Sequence, residues 1–164
     1  MARVAVYPGS FDPVTYGHLD VMERAVRIFD RVIVAVANNA SQNYLFSMEE
    51  RLSLVREAAR GIKGVSVVPF EGLVTDLAKK KGTNVLIRGL RMTSDFEYEF
   101  QMALTNRRLA EKVETVFLMP SERFSFLSAT LLKEVARLDA DISSFVPKCV
   151  EKRLKERMKR CASK

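Results

Sequence analysis

Val32-Ile33-Val34-Ala35-Val36 is an unbroken apolar run, with no polar residue on either side of a two-residue repeat. A strand of this kind is buried on both faces, as in parallel sheets covered by helices, and unlike antiparallel sheets with one wet face. The flanking sequence agrees. On the amino side, residues 17 to 29 carry Leu19, Val21, Met22, Ala25, Val26 and Phe29 at helical spacing, and Val4-Ala5-Val6-Tyr7 reads as a strand before them. On the carboxyl side, Ser47-Met48-Glu49-Glu50 is a capping box opening a helix that runs to Gly61. The alternation continues with strand Val65-Ser66-Val67-Val68, a short helix over 73–81 closed by Gly82, and strand Val85-Leu86-Ile87. Ser94-Asp95-Phe96-Glu97 reads as a second capping box opening a helix to about Lys112, followed by strand Val116-Phe117-Leu118-Met119. A Pro120 turn, a helix from about Ser128 to Arg137 and a basic helix after Pro147 complete the chain.

Parallel neighbours need crossover connections, and those are right-handed, so these alternations predict an α/β fold. The expected architecture is one doubly wound, five-stranded parallel sheet of the Rossmann-like kind with a C-terminal helical tail, in a single domain over residues 1–164. In such a sheet ligands bind beyond the carboxyl ends of the strands, where the strand order reverses. The segments that follow the strands are 8–18, 37–46, 70–74, 88–95 and 119–130.

Composition narrows the class. The chain has 164 residues, 48% of them apolar and 29% charged, which argues against disordered or fibrous classes. Cys149 and Cys161 fall in one helix, roughly 18 Å apart along its axis at about 1.5 Å per residue, too far for a disulfide. A reducing, cytoplasmic setting is expected, and neither a signal peptide nor a membrane span is read. The net charge of +7 belongs to the tail: residues 147–164 hold eight Lys/Arg and two acidic residues, leaving the other 146 residues at +1. Val150, Leu154, Met158 and Cys161 recur there at helical spacing, so the tail reads as an amphipathic helix with a solvated basic face, with attraction of a polyanion as the other reading.

No G-x-G-x-x-G or G-x-x-x-x-G-K-[ST] occurs, which disfavours a dehydrogenase or a P-loop NTPase. Instead Tyr7-Pro8-Gly9-Ser10-Phe11-Asp12-Pro13-Val14-Thr15-Tyr16-Gly17-His18 follows the first strand. Gly9 lets backbone approach a ligand, and His18, the one histidine of the chain, falls in the first turn of a helix, where free N–H groups favour an anion. A helix-capping histidine is the alternative. Arg88-Gly89-Leu90-Arg91 supplies two guanidinium groups suited to phosphate, unless they merely answer Asp95, Glu97 and Glu99 on the next helix. Arg123-Phe124-Ser125-Phe126-Leu127-Ser128-Ala129-Thr130 is a hydroxyl-rich approach to another helix N-terminus, with Ser128 as N-cap. Together these loops make a polyphosphate site in which no residue stands out as a nucleophile.

Thr15-Tyr16-Gly17-His18 resembles the [T/H]-x-G-H signature of the nucleotidyltransferase superfamily related to class I aminoacyl-tRNA synthetases. Adding Ile87-Arg88-Gly89-Leu90-Arg91, Ser94-Asp95-Phe96-Glu97-Tyr98-Glu99 and Lys133-Glu134-Val135-Ala136-Arg137, the chain from about residue 4 to 147 resembles the bacterial phosphopantetheine adenylyltransferases. The resemblance implies reaction of ATP with 4'-phosphopantetheine to give dephospho-coenzyme A and pyrophosphate, by a cytoplasmic, Mg²⁺-assisted homohexamer that needs neither nucleic acid nor membrane. It implies catalytic roles for His18, as transition-state stabiliser, and Arg91. Ser10, Phe11, His18, Gly89, Leu90, Arg91, Glu99 and Phe124, Ser125, Phe126, Leu127, Ser128, Ala129 and Thr130 would hold ATP. Ser10, Gln42, Val74, Arg88, Met102 and Asn106 would hold the acceptor, with no protein metal ligands. Two departures stand out. Ser41-Gln42-Asn43 replaces a stretch in which the family commonly has lysine, and Ala129 replaces the middle of three serines. The same superfamily with another phosphorylated acceptor, such as nicotinamide mononucleotide or glycerol 3-phosphate, is the nearest alternative; a non-catalytic nucleotide-binding regulator or a nucleic-acid binder using the tail is a more distant one.

Overall fold

A computed structural model describes residues 2–39 and 42–162, with backbone alone for 161 and 162. The elements are β1 (Val4–Gly9), α1 (Tyr16–Ile28), β2 (Arg31–Ala37), α2 (Met48–Ala58), β3 (Val65–Phe70), α3 (Val74–Lys80), β4 (Val85–Gly89), α4 (Thr93–Leu109), β5 (Glu114–Leu118), a 3₁₀ turn (Glu122–Phe124), α5 (Ala129–Arg137) and α6 (Lys148–Ala162). The five strands form one parallel sheet in the order β3-β2-β1-β4-β5. The chain builds outward from β1 to β3, then returns to lay β4 on the other side of β1. The order therefore reverses between β1 and β4.

Alternate residues of β2 feed two cores. Val32, Val34 and Val36 face α1, α2, α5 and α6, while Ile33 and Ala35 face α3 and the residues that follow α4. All five are nearly free of solvent contact, as a doubly covered strand requires. The strands run further at their carboxyl ends than the apolar runs suggest. Pro8 and Gly9 pair with Ala35 and Val36, and Pro69 with Val36. Pro69 is tolerated because β3 is an edge strand. Pro8 is tolerated because the β1–β4 pairing is short, registered at Val6↔Leu86.

The Ser47 box forms as read: Ser47 Oγ accepts from the Glu50 N–H at 3.3 Å and the Glu50 carboxylate accepts from the Ser47 N–H at 2.8 Å. The second box does not. α4 begins at Thr93 with Met92 as an N-cap that makes no side-chain cap bond, so Ser94 already lies inside the helix. The Asp95 carboxylate, now in the first turn where the helix dipole favours an acid, pairs with Arg91 at 3.1 Å and ties the helix to the corner after β4. The tail is the amphipathic helix expected: Val150, Leu154 and Met158 are buried against the core, and Arg157 pairs with Glu50 on α2 while lying 5.3 Å over the Phe46 ring. The Cys161 side chain and Ser41 fall outside the described residues. No helix among the described residues is long and apolar enough to cross a membrane.

Candidate active site

A cleft of about 400 Å³ opens at the carboxyl ends of β1 and β4, where the strand order reverses. Three segments wall it: the β1–α1 loop with the start of α1, the β4–α4 corner, and the approach to α5.

The β1–α1 wall is held from behind. A methyl group at Gly9 would lie 2.9 Å from the Phe11 ring, so only glycine lets that ring lie across the backbone. Phe11 itself sits at φ 48°, a conformation rare for a bulky residue, and is fixed between Tyr7 and His18 at centroid distances of 5.4 and 5.0 Å. The buried Asp12 carboxylate accepts from the Leu45 and Phe46 N–H groups at 2.8 and 2.9 Å and meets Lys133 of α5 at 3.3 Å. Arg51, 1% exposed, donates to the carbonyls of Ser10, Ala37 and Phe46 at 2.8, 2.7 and 3.2 Å and is covered by the Tyr44 ring. One buried guanidinium thus joins the loops after β1 and β2.

His18 caps its own helix. Its Nδ1 accepts from the Thr15 N–H at 3.0 Å, while Thr15 Oγ1 accepts from the His18 N–H at 3.4 Å. Capping does not use up the ring: with Nδ1 spent as an acceptor, the proton of the neutral ring resides on Nε2, a donor left for the cleft that His18 lines. Burial, reinforced by Arg91 and Arg88, lowers its pKa to about 4, so the imidazole is neutral at physiological pH.

The β4–α4 wall carries charge in balanced pairs. Arg88 donates Nε and Nη2 to the two Glu99 oxygens at 2.8 and 2.5 Å and Nη1 to the Pro8 carbonyl at 2.6 Å. Burial works against that charge, but the bonds and charge of Glu99 outweigh it and raise the Arg88 pKa. Arg91 pairs with Asp95 and donates to the Leu127 carbonyl, linking this wall to the approach to α5. The arginines answer α4 carboxylates and line the cleft at once.

The third wall hangs on α1. Asp20 accepts from the Ser121 N–H and Oγ at 2.8 and 2.6 Å and from Arg24 Nε at 2.8 Å. Burial raises its pKa, but these bonds to Ser121 and Arg24 outweigh it and hold the carboxyl below its usual range. From there the chain enters α5, where the Ser128 hydroxyl accepts from the Leu131 N–H at 3.4 Å as N-cap.

Residues 6–135 match the cytidylyltransferase-like family model. A phosphopantetheine adenylyltransferase of Caldanaerobacter subterraneus subsp. tengcongensis is 51% identical over 158 residues, 96% of this chain and 99% of that protein. One from Desulfatibacillum aliphaticivorans is 48% identical over 159 residues, covering 97% of this chain and 91% of its own length. The chain belongs to the phosphopantetheine adenylyltransferases of the cytidylyltransferase-like family. Among solved structures, a Vibrio parahaemolyticus protein named for nicotinate-nucleotide adenylyltransferase activity shares the fold, with a TM-score of 0.72 at 18% identity over 98% of this chain and 96% of that one.

The family resemblance and the cleft overlap in large part. Ser10, Phe11, His18, Arg88, Gly89, Arg91, Glu99, Leu127, Ser128, Ala129 and Thr130 all line it. Others expected from the phosphopantetheine adenylyltransferase pattern lie outside. The Leu90 N–H donates to the Leu118 carbonyl at 3.0 Å, extending the β4–β5 ladder. Phe124 and Phe126 turn into a separate recess of about 560 Å³ over α1, where Phe124 stacks on Tyr16, and Ser125 is spent on the Glu122 carbonyl. Gln42 is exposed in the β2–α2 loop, its N–H donating to the Asn39 carbonyl at 3.0 Å. Val74 packs with α3 in the core on the other face of the sheet, and Met102 and Asn106 stand further along α4 than Glu99, beyond the residues that line the cleft. Tyr7, Asp12, Tyr98 and Pro120 stand in stretches quoted from the sequence that gave them no place in the site, and the lining by Val21 and the buried roles of Asp20 and Arg51 were not read. Arg51 left a signal of its own: it stands three and four residues before Leu54 and Val55, on the apolar face of α2.

Proposed function

We propose that this chain transfers the adenylyl group of ATP to 4'-phosphopantetheine, giving dephospho-coenzyme A and pyrophosphate, with no enzyme-linked intermediate. The observation that carries this reading is the placement of His18, its Nδ1 held by the Thr15 N–H and its ring in one cleft with Arg88 and Arg91. A terminal phosphate oxygen of the acceptor attacks the α-phosphorus of ATP in line and the pyrophosphate oxygen leaves. A phosphate monoester is largely a dianion at neutral pH, its second pKa being near 6, so no general base is needed. The protein's task is positioning and stabilising charge on the phosphoryl oxygens. His18 donates to an oxygen of the transferred group as its charge grows. Arg88, oriented by Glu99, holds the acceptor's phosphate, and Arg91, Ser10, the Phe11 backbone and the N-terminus of α5 hold the triphosphate.

Mg²⁺ would accompany ATP and offset its phosphate charge. The cleft carboxylates Asp95 and Glu99 are each engaged by an arginine, which leaves neither free to serve as a ligand to the ion. Assembly as a homohexamer is supported by α4, which leaves Phe96, Phe100 and Leu104 between 44% and 48% exposed, apolar surface suited to a second copy. The unpaired Cys149 thiol suits a reducing cytoplasm. Incubation with ATP, Mg²⁺ and 4'-phosphopantetheine should yield pyrophosphate and the adenylylated product together. Turnover with nicotinamide mononucleotide or glycerol 3-phosphate but not 4'-phosphopantetheine would overturn the acceptor assignment.

A further inference from the structure

Tyr7 stands in β1 with 4% of its surface exposed, its ring held at 90° to that of Phe11. Its phenol oxygen comes out at the cleft beside Gly89: a methyl group at Gly89 would lie 3.6 Å from it. Among the described residues it makes no hydrogen bond. The ring is buried but the hydroxyl is no buried orphan: it is reachable from the cleft, where water can meet it until a ligand oxygen takes that place. It opens only toward the cleft, and the charges around it are Arg88, Arg91 and Glu99. Burial pushes its pKa up to about 12, more than the two arginines pull it down, so it carries its proton at any physiological pH and can donate.

Arg88 leaves room for such a donor. Of its five guanidinium N–H groups, two are spent on Glu99 and one on Pro8, the residue next to Tyr7. The remaining pair can take two lone pairs of a phosphate monoester, which has more acceptor capacity than that. We propose that the Tyr7 hydroxyl is a substrate-binding group that donates a hydrogen bond to the acceptor's phosphate alongside Arg88. The proposal rests on the acceptor reading given above and adds to it a residue that selects for the phosphorylated form. The hydroxyl stays neutral, so it adds a directional contact without raising the cleft's charge.

Tyr7→Phe keeps the ring and its contact with Phe11 and deletes one oxygen. Calorimetric titration of the wild type and the variant with 4'-phosphopantetheine, and with pantetheine lacking the phosphate, is paired with turnover and melting curves. The expected result is a roughly 10-fold or larger weakening for 4'-phosphopantetheine, the size of a lost hydrogen bond to a charged group, with pantetheine and the KM for ATP within about twofold and the melting temperature kept. An active wild type whose Tyr7→Phe variant binds 4'-phosphopantetheine equally well removes Tyr7 from the site and leaves the acceptor reading standing. So does a variant that weakens ATP or pantetheine as much as the phosphorylated acceptor. A wild type that binds no 4'-phosphopantetheine overturns both together.

Discussion

The two long walls face each other across one cleft and are built on opposite principles. The β1–α1 wall presents neutral donors, the His18 Nε2–H among them, and spends its buried charges, Arg51 and Asp12, out of the ligand's reach on backbone groups. The β4–α4 wall presents cations, and each is already matched by a carboxylate on α4. The first can stabilise charge that develops during reaction without reorganising, because its donors are fixed before the ligand arrives. The second suits ground-state recognition, with arginines held in place by Glu99 and Asp95 and retaining unused N–H groups. The difference suits His18 on the first wall to charge that develops in the reaction, and the arginines of the second to charge the reactants already carry.

The largest effect should come from the foundation of the first wall. Arg51→Met orphans three carbonyls, and denaturant unfolding should show a loss of about 3–5 kcal/mol, since each unmet buried acceptor costs roughly 1–3 kcal/mol. A loss below about 1 kcal/mol would mean that the loops after β1 and β2 hold together without it. His18→Ala comes next: kcat should fall about 10² to 10³-fold, roughly 3–4 kcal/mol, with the fold retained and both KM values nearly unchanged. If the KM for the acceptor changed instead, the division of labour between the walls would be wrong. Arg88→Gln should do the converse, raising the KM for 4'-phosphopantetheine about 10- to 100-fold and that for ATP far less.

Much of this architecture could be read from the chain alone, and the exceptions share a cause. The apolar run at Val32–Val36, the Ser47 box and the helical stripe of α6 are local patterns whose period states their environment. Strand ends at Pro8-Gly9 and Pro69-Phe70 were obscured because local propensity treats these residues as breakers, whereas their tolerance depends on where each strand lies in the sheet. The Ser94 box does not form because the helix already begins at Thr93, which puts Ser94 past the cap position and leaves Asp95 in the first turn beside Arg91. In the site, the motif residues around His18, Arg88 and Ser128 converge as expected, since each follows a strand. Contacts between distant segments could not be read: Asp20 and Ser121 lie 101 residues apart, and nothing near either one announces the other. The same holds for Asp12 and Lys133, 121 residues apart.

The neutral state of His18 also sets a direction for pH. Its folded pKa of about 4 lies below the unfolded value near 6.5, so the unfolded chain binds the extra proton first. This group therefore leaves stability untouched above about pH 6.5 and lowers it progressively as the pH falls toward 4, a decline that His18→Gln should blunt.

Proton-detected long-range ¹⁵N spectra of the imidazole, recorded from pH 8 down to pH 4, put the heart of the account to the test. The expected spectrum shows an unprotonated Nδ1 and a protonated Nε2, unchanged until the pH nears 4. A ring that titrates near 6.5, or one that carries its single proton on Nδ1, would contradict it.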